Sequence, residues 1–185
     1  MENHNSKIKE AIKTIIELVA IAVVTSLIFT KVVNPVIING KSMYPTLDDH
    51  DISLINVMGL SKDSLKRFDV VVVYAEELHE KIVKRLIGLP GETIEYRDDR
   101  LYIDGQEYDE PYLDKDYMEE AKQKYHTNLF TENFTYTLSK DEYFVMGDNR
   151  LVSKDSRALG GFTYDNFIGK NGFVLFPFNH MKTIE

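Results

Sequence analysis

The sequence predicts a mainly β protein: an N-terminal transmembrane helix, then an antiparallel β-sheet body with a small inserted α+β subdomain. Three observations predict it. An apolar run fills residues 14–33, short strand-like segments between Gly, Asp and Pro turns follow from residue 36, and an acidic, tyrosine-rich stretch interrupts them over 97–142.

The apolar run comes first. The chain opens MENHNSKIKEAIK, polar with Lys7, Lys9 and Lys13, and continues TIIELVAIAVVTSLIFTKVV. As a helix, residues 14–33 span about 30 Å, close to the hydrocarbon thickness of a bilayer. Glu17 and Lys31 leave thirteen uncharged residues between them, and both lie near the ends, where side chains reach headgroups. A cleaved signal peptide would need small residues where FTKVV stands. A buried amphipathic helix would show a polar face, whereas residues 18–30 offer only Thr25, Ser26 and Thr30. A single membrane anchor fits best. The leading lysines favour a cytoplasmic tail (1–13), an anchor (14–33) and a body on the extracytoplasmic face, with Pro35 ending the helix.

Strands are expected at 36–40, 52–57, 68–75, 81–88, 92–96, 100–104, 143–147 and 172–176. LYIDGQEY reads as a hairpin turning at Asp104-Gly105, and the VVVV run suits a strand buried on both faces. Residues 97–142 carry 13 acidic and 6 basic residues, nearly all of the net charge. They form the expected insertion, with a helix at 116–126 that pairs Glu120 with Lys124 and an acidic face turned to solvent.

Composition narrows the chemistry. Apolar residues make up 43% and charged residues 28%, which suits a folded core. The net charge of −8 argues against a nucleic-acid surface. The chain has no cysteine, so disulfides, thiolate nucleophiles and cysteine-zinc sites are excluded. His4, His50, His79, His126 and His180 are scattered without an H-x-x-x-H pair, so neither metal nor cofactor is expected.

Three patches carry possible chemistry. Ser42 lies in GKSMYPTL, with no histidine within five residues and no G-x-S-x-G elbow. A serine nucleophile would then need a lysine or carboxylate base, and a lysine serves only where burial or a nearby cation lowers its pKa. In KIVKRLIG, alternation places Lys84 between Ile82 and Leu86 on one strand face. An ordinary solvated strand lysine is the competing reading. MGDNRLVSKDSRALG packs Asp148, Arg150, Ser153, Asp155 and Arg157 into one loop, either a polar turn held by ion pairs or a brace for a reactive side chain.

Taken in order behind an anchor, GKSMYPTL, FDVVVV, VKRLIGLPGETIE and MGDNRLVSKDSRALG resemble the type I signal peptidases, in their Gram-positive form with one N-terminal anchor. The resemblance covers residue 7 to the end, least well over the insertion. It implies a catalytic β-domain of 34–96 and 143–185, with Ser42 as nucleophile and Lys84 as general base. Ser153 would orient the lysine, and Arg85, Asp148, Arg150, Asp155 and Arg157 would brace the site. Backbone N–H groups of Ser42 and Gly40 would bind the oxyanion. Val36, Ile38, Met43, Leu47, Val72 and Val83 would line pockets for A-x-A-like cleavage sites, with a polar Ser53 at the second pocket. The implied partners are signal peptides of exported preproteins, the lipid bilayer and the nearby export machinery; the substrate would add as a strand along 36–40 and 81–84. A self-cleaving Ser-Lys repressor would carry a helix-turn-helix in place of the anchor. A silent anchored paralogue and a secreted β-domain are the remaining alternatives.

Overall fold

In the computed structural model, the backbone of residues 2–184 is described, with side chains for residues 8–26 and 32–184. Helix α1 (Glu2–Val32) precedes an eight-stranded sheet. That sheet is built from β1 (Val33–Ile37), β2 (Ile52–Asn56), β3 (Val70–Ala75), β4 (Glu80–Gly88), β9 (Glu142–Met146), β10 (Phe162–Thr163), β11 (Phe167–Phe176) and β12 (Lys182–Ile184). Its order is β1-β2-β11-β3-β4-β9-β10, with β12 added to β11, and all pairings are antiparallel.

The other four strands, β5 (Thr93–Arg97), β6 (Arg100–Ile103), β7 (Gln106–Tyr108) and β8 (Phe134–Thr137), form a small sheet in the order β7-β6-β5-β8. This sheet therefore starts before residue 97, at Thr93. Helix α2 (Lys115–Tyr125) lies between β7 and β8 in sequence. Both Asp104 (φ 50°) and Gly105 (φ 82°) occupy the left-handed region, as the expected two-residue hairpin turn requires.

Alternation builds three cores. Val71, Val73, Ile82, Leu86 and Val145 fill one, while Val70, Val72 and Val83 pack with Ile38, Met43, Leu47 and Val174 in a second. Val70 to Val73 are each fully buried, so the VVVV run does serve both faces of the sheet. The third core, with Ile87, Ile94, Tyr96, Phe144 and Met146, joins the small sheet to the large one. Each such side chain contributes roughly 1.5–3 kcal/mol by leaving water.

Three expectations need correction. Helix α1 ends at Val32 and β1 begins at Val33, so Pro35 sits exposed inside a strand three residues ahead of the expected one. An edge strand tolerates a residue that donates no N–H. Strands β8, β10 and β12 were not anticipated, being four residues or fewer. The α2 ion pair forms between Glu119 and Lys122 (2.6 Å), because Lys122 turns inward to Asp99 (3.6 Å).

The expected anchor falls on α1. Among the described residues no helix is long and apolar enough to cross a membrane. Glu17 and Lys31 interrupt the run and leave thirteen uncharged residues between them, about 20 Å of helix against roughly 30 Å of hydrocarbon. The side chains of residues 1–7 and 27–31, on which parts of the expected tail and anchor fall, lie outside the described residues.

Candidate active site

Ser42 stands in the loop between β1 and β2, and Lys84 in the middle of β4. Lys84 Nζ donates to Ser42 Oγ at 2.9 Å and to its neighbour's carbonyl, Val83 O, at 3.0 Å. Lys84 is only 3% exposed, between Ile82 and Leu86 as the alternation requires. Burial pulls its pKa from 10.5 down to about 8, against the opposing pull of Asp155, Glu80 and Asp148. A neutral amine at this position can accept the serine proton.

Gly147 lets the Ser42 loop close over β9. A Cβ there would stand 2.3 Å from both Ser42 O and Ser153 Oγ, so no side chain fits. Asn149 then ties the loop down: its N–H donates to Ser42 O and its Nδ2 to Lys41 O, each at 3.0 Å. Asp148 bridges the segments that carry Ser42 and Lys84. It accepts Thr46 Oγ1 from the Ser42 loop and a bidentate pair from Arg85, next to Lys84, at 2.9 and 2.8 Å. Asp148 and Arg85 are both essentially inaccessible, and Tyr112 caps the guanidinium at 3.9 Å from its ring centre.

Two further cations hold the loop that follows. Arg150, fully buried, donates to Gly147 O and reaches into the small sheet to Glu110, Tyr96 and Thr131. Burial opposes the Glu110 charge, but the Arg150 guanidinium overcomes it and holds that carboxyl below its ordinary range. Asp155 is buried likewise, and Arg157 (2.8 and 2.9 Å) with Gly147 N–H (3.0 Å) keeps it ionised below the usual carboxylate range. Asp155 also caps the short helix α3 (Ser156–Leu159).

The remaining expected residues are placed unevenly. Ser153 Oγ is buried beside Gly147, close enough to Asp155 to help hold that carboxylate ionised, and it makes no hydrogen bond to Lys84. Ser42 N–H makes no hydrogen bond among the described residues, whereas Gly40 N–H is already donated to Asp49 Oδ1 at 2.7 Å. Val36, Ile38, Met43 and Val83 line a cleft of about 270 Å³ beside Ser42 and Lys84. Leu47 and Val72 do not; both are fully buried in the core beneath it, and Ser53 is also buried away from the lining.

Residues 8–176 match the family described as signal peptidase, peptidase S26. The chain belongs to this family. Signal peptidase I T of Bacillus subtilis (strain 168) is 44% identical over 80% of this chain and 76% of its own. Signal peptidase I S of the same strain is 38% identical over 98% of both chains. Signal peptidase IB of Staphylococcus aureus (strain N315) is 36% identical over 94% of each. A solved signal peptidase I from Enterococcus faecalis V583 is 38% identical, covering 58% of this chain and 96% of its own, with a TM-score of 0.49.

As a member of the peptidase S26 family, the chain is a serine endopeptidase. Sequence reasoning missed several of the groups around Ser42 and Lys84. Thr46 and Asn149 sit inside the motifs that flagged Ser42 and Asp148, so adjacency was their available signal. Glu110 and Tyr112 come from the insertion, and nothing in their local pattern marks them as partners of a loop about 40 residues away.

Proposed function

We propose that this peptidase removes signal peptides from exported preproteins after A-x-A-like sites, with Ser42 as nucleophile and Lys84 as general base. The 2.9 Å hydrogen bond between them, made by a lysine too buried to hold its proton firmly, carries the reading. Ser42 Oγ attacks the scissile carbonyl carbon while Lys84 Nζ takes its proton, giving a tetrahedral oxyanion. The unengaged Ser42 N–H is the donor available to it, and Gly40 joins only by releasing Asp49. Lys84 then returns the proton to the leaving amine, and the acyl-enzyme remains. Water deprotonated by Lys84 hydrolyses that ester and restores Ser42.

The substrate side is supported by two free strand edges. β1 is the end strand of its sheet, and β4 pairs on its second side only from Arg85 onward, so residues 80–84 leave that edge open at the cleft. An extended peptide can pair there, its alternate small side chains meeting Val36, Ile38, Met43 and Val83. Residues 34–96 and 143–185 then form the catalytic domain, with β5 at its border with the insertion. Ser153, Arg85, Asp148, Arg150, Asp155 and Arg157 position the pair.

Membrane attachment is supported by α1 itself. Ile12, Ile15, Ile16, Leu18, Val19, Ile21, Val23 and Val24 are each more than half exposed and surround the helix axis. Ile37, Phe176, Phe178 and Met181 add exposed apolar surface on the body. We place the N-terminus in the cytoplasm, α1 as the single anchor extended through Leu27–Val32, and the body outside, close to the export machinery.

The direct test is processing of a preprotein by the detergent-solubilised full chain, read by mass spectrometry of both fragments. A single cut following the A-x-A site is expected. No cut, or cuts scattered through the mature part, would overturn the assignment. The pH profile gives a second test. Only neutral Lys84 accepts the proton, so kcat/KM should climb tenfold per pH unit in acid and level off above about pH 8. A rate still climbing beyond about pH 10, near an ordinary lysine pKa, would show that Lys84 is not the base.

A further inference from the structure

Two clefts meet at Ser42. The smaller, between β1 and the open edge of β4, is the one given above to the signal-peptide side. The larger, about 620 Å³, is walled by Tyr44 of the nucleophile loop and by Tyr117 and Tyr125 of α2. The two linings share only Asn39 and Ser42. A scissile bond held at Ser42 with its preceding residues in the first cleft must send its following residues elsewhere, and the second cleft is where Ser42 opens again.

Asn149 points independently to a ligand in that cleft. It is 3% exposed and contributes to the lining, and its N–H and Nδ2 are both committed to the nucleophile loop. Its Oδ1 is buried with no hydrogen-bond partner. The Tyr117 phenol lies close enough to feel Asn149 but leaves that oxygen without a hydrogen bond of normal geometry. An unpaired buried acceptor is costly, and the N–H of a bound peptide would relieve it.

The walls fit a peptide of general sequence. Tyr117 packs edge-on against Tyr44 at 4.9 Å between ring centres, and tyrosine offers large, rigid contact area with little entropy to lose. Glu120 stands among Lys41 and Lys124, so no single charge dominates. A volume of this size holds a drug-sized ligand or a few residues of chain.

The geometry points to this cleft as the seat of the first residues of the mature protein, held by the tyrosine walls and by a backbone N–H donated to Asn149 Oδ1. The inference rests on the signal-peptidase reading and gives the inserted helix α2 a share in substrate binding.

The test uses two peptide substrates with one signal sequence, one stopping at the first residue after the cut and one continuing well beyond it. The ratio of their kcat/KM values, long over short, is the readout. The intact chain should favour the long substrate. Tyr117→Ala should lower the ratio by about 2- to 10-fold, the size of one aromatic contact. Tyr117→Phe, which keeps the ring, should retain it. Tyr125→Ala, at an exposed rim where folding is not at stake, should lower the ratio as well. A ratio near one in the intact chain, or unmoved by both alanine variants, overturns the inference while leaving the signal-peptidase reading intact. Failure of the intact chain to cut either substrate overturns that reading, and this inference with it.

Discussion

Lys84→Ala and Ser42→Ala should each lower kcat by about 10⁴-fold or more, with the double variant little worse than either single one. The two groups share one proton, so removing either leaves the other with no task. Replacement from elsewhere in the site is blocked by the surrounding pairs. Asp155 is held by Arg157, Asp148 by Arg85 and Thr46, and His180 by Asp51. Among the described residues, Lys84 is the titratable group that reaches Ser42 Oγ. Single-turnover kinetics on a signal-bearing peptide would measure the effect. Lys84→Ala retaining a tenth of the intact rate would sink the mechanism, and Lys84→Met, which keeps the apolar stem, should be as inactive as the alanine variant.

Asp148→Ala should unfold the protein more easily by about 3–5 kcal/mol, the cost of leaving one member of a buried ion pair alone. Arg85 is 2% exposed, so its guanidinium, which also meets the Phe68 carbonyl and the Tyr112 ring, would lose its bidentate carboxylate where water cannot reach. Thr46 would lose its acceptor at the same time. For a chain of this length the melting temperature should fall on the order of 10 °C. Activity should fall further than stability alone explains, since the nucleophile loop and the residue beside Lys84 are both tied to this carboxylate. Urea unfolding monitored by circular dichroism would check it, and a loss under about 1 kcal/mol would show that the pair is not held as described.

What the sequence made legible follows periodicity and turn chemistry. The two-sided VVVV strand, the Asp104-Gly105 hairpin and the inward face of Lys84 are local patterns with a direct physical reading. The depth of α1 was not so readable: a run of apolar letters broken by Glu17 does not distinguish a helix that spans from one that falls short. The proximity of Ser42 to Lys84 was legible only through ordered motifs, because residues 42 apart meet by sheet pairing. The pocket expectation was partly displaced because a strand with both faces buried gives no sign of which apolar residue meets a cleft. Val83 reaches it, whereas Val72, its partner across β3 and β4, lies below. Least legible was α2. Its acidic composition read as a solvated face, yet Tyr117 and Tyr125 turn to the nucleophile loop.

The burial of Lys84 also has a thermodynamic consequence for the whole chain. In the unfolded state the amine binds its proton up to about pH 10.5, whereas in the folded state it releases it near pH 8. Between those values the unfolded chain holds more protons, so each unit of rising pH adds up to about 1.4 kcal/mol of stability from this one site, and below pH 8 the full penalty persists. Enzymes commonly give up stability to gain activity. Here one proton governs both in succession: activity climbs up to about pH 8 and the stability gain begins above it, because the charge that opposes folding is the same charge that disables the base.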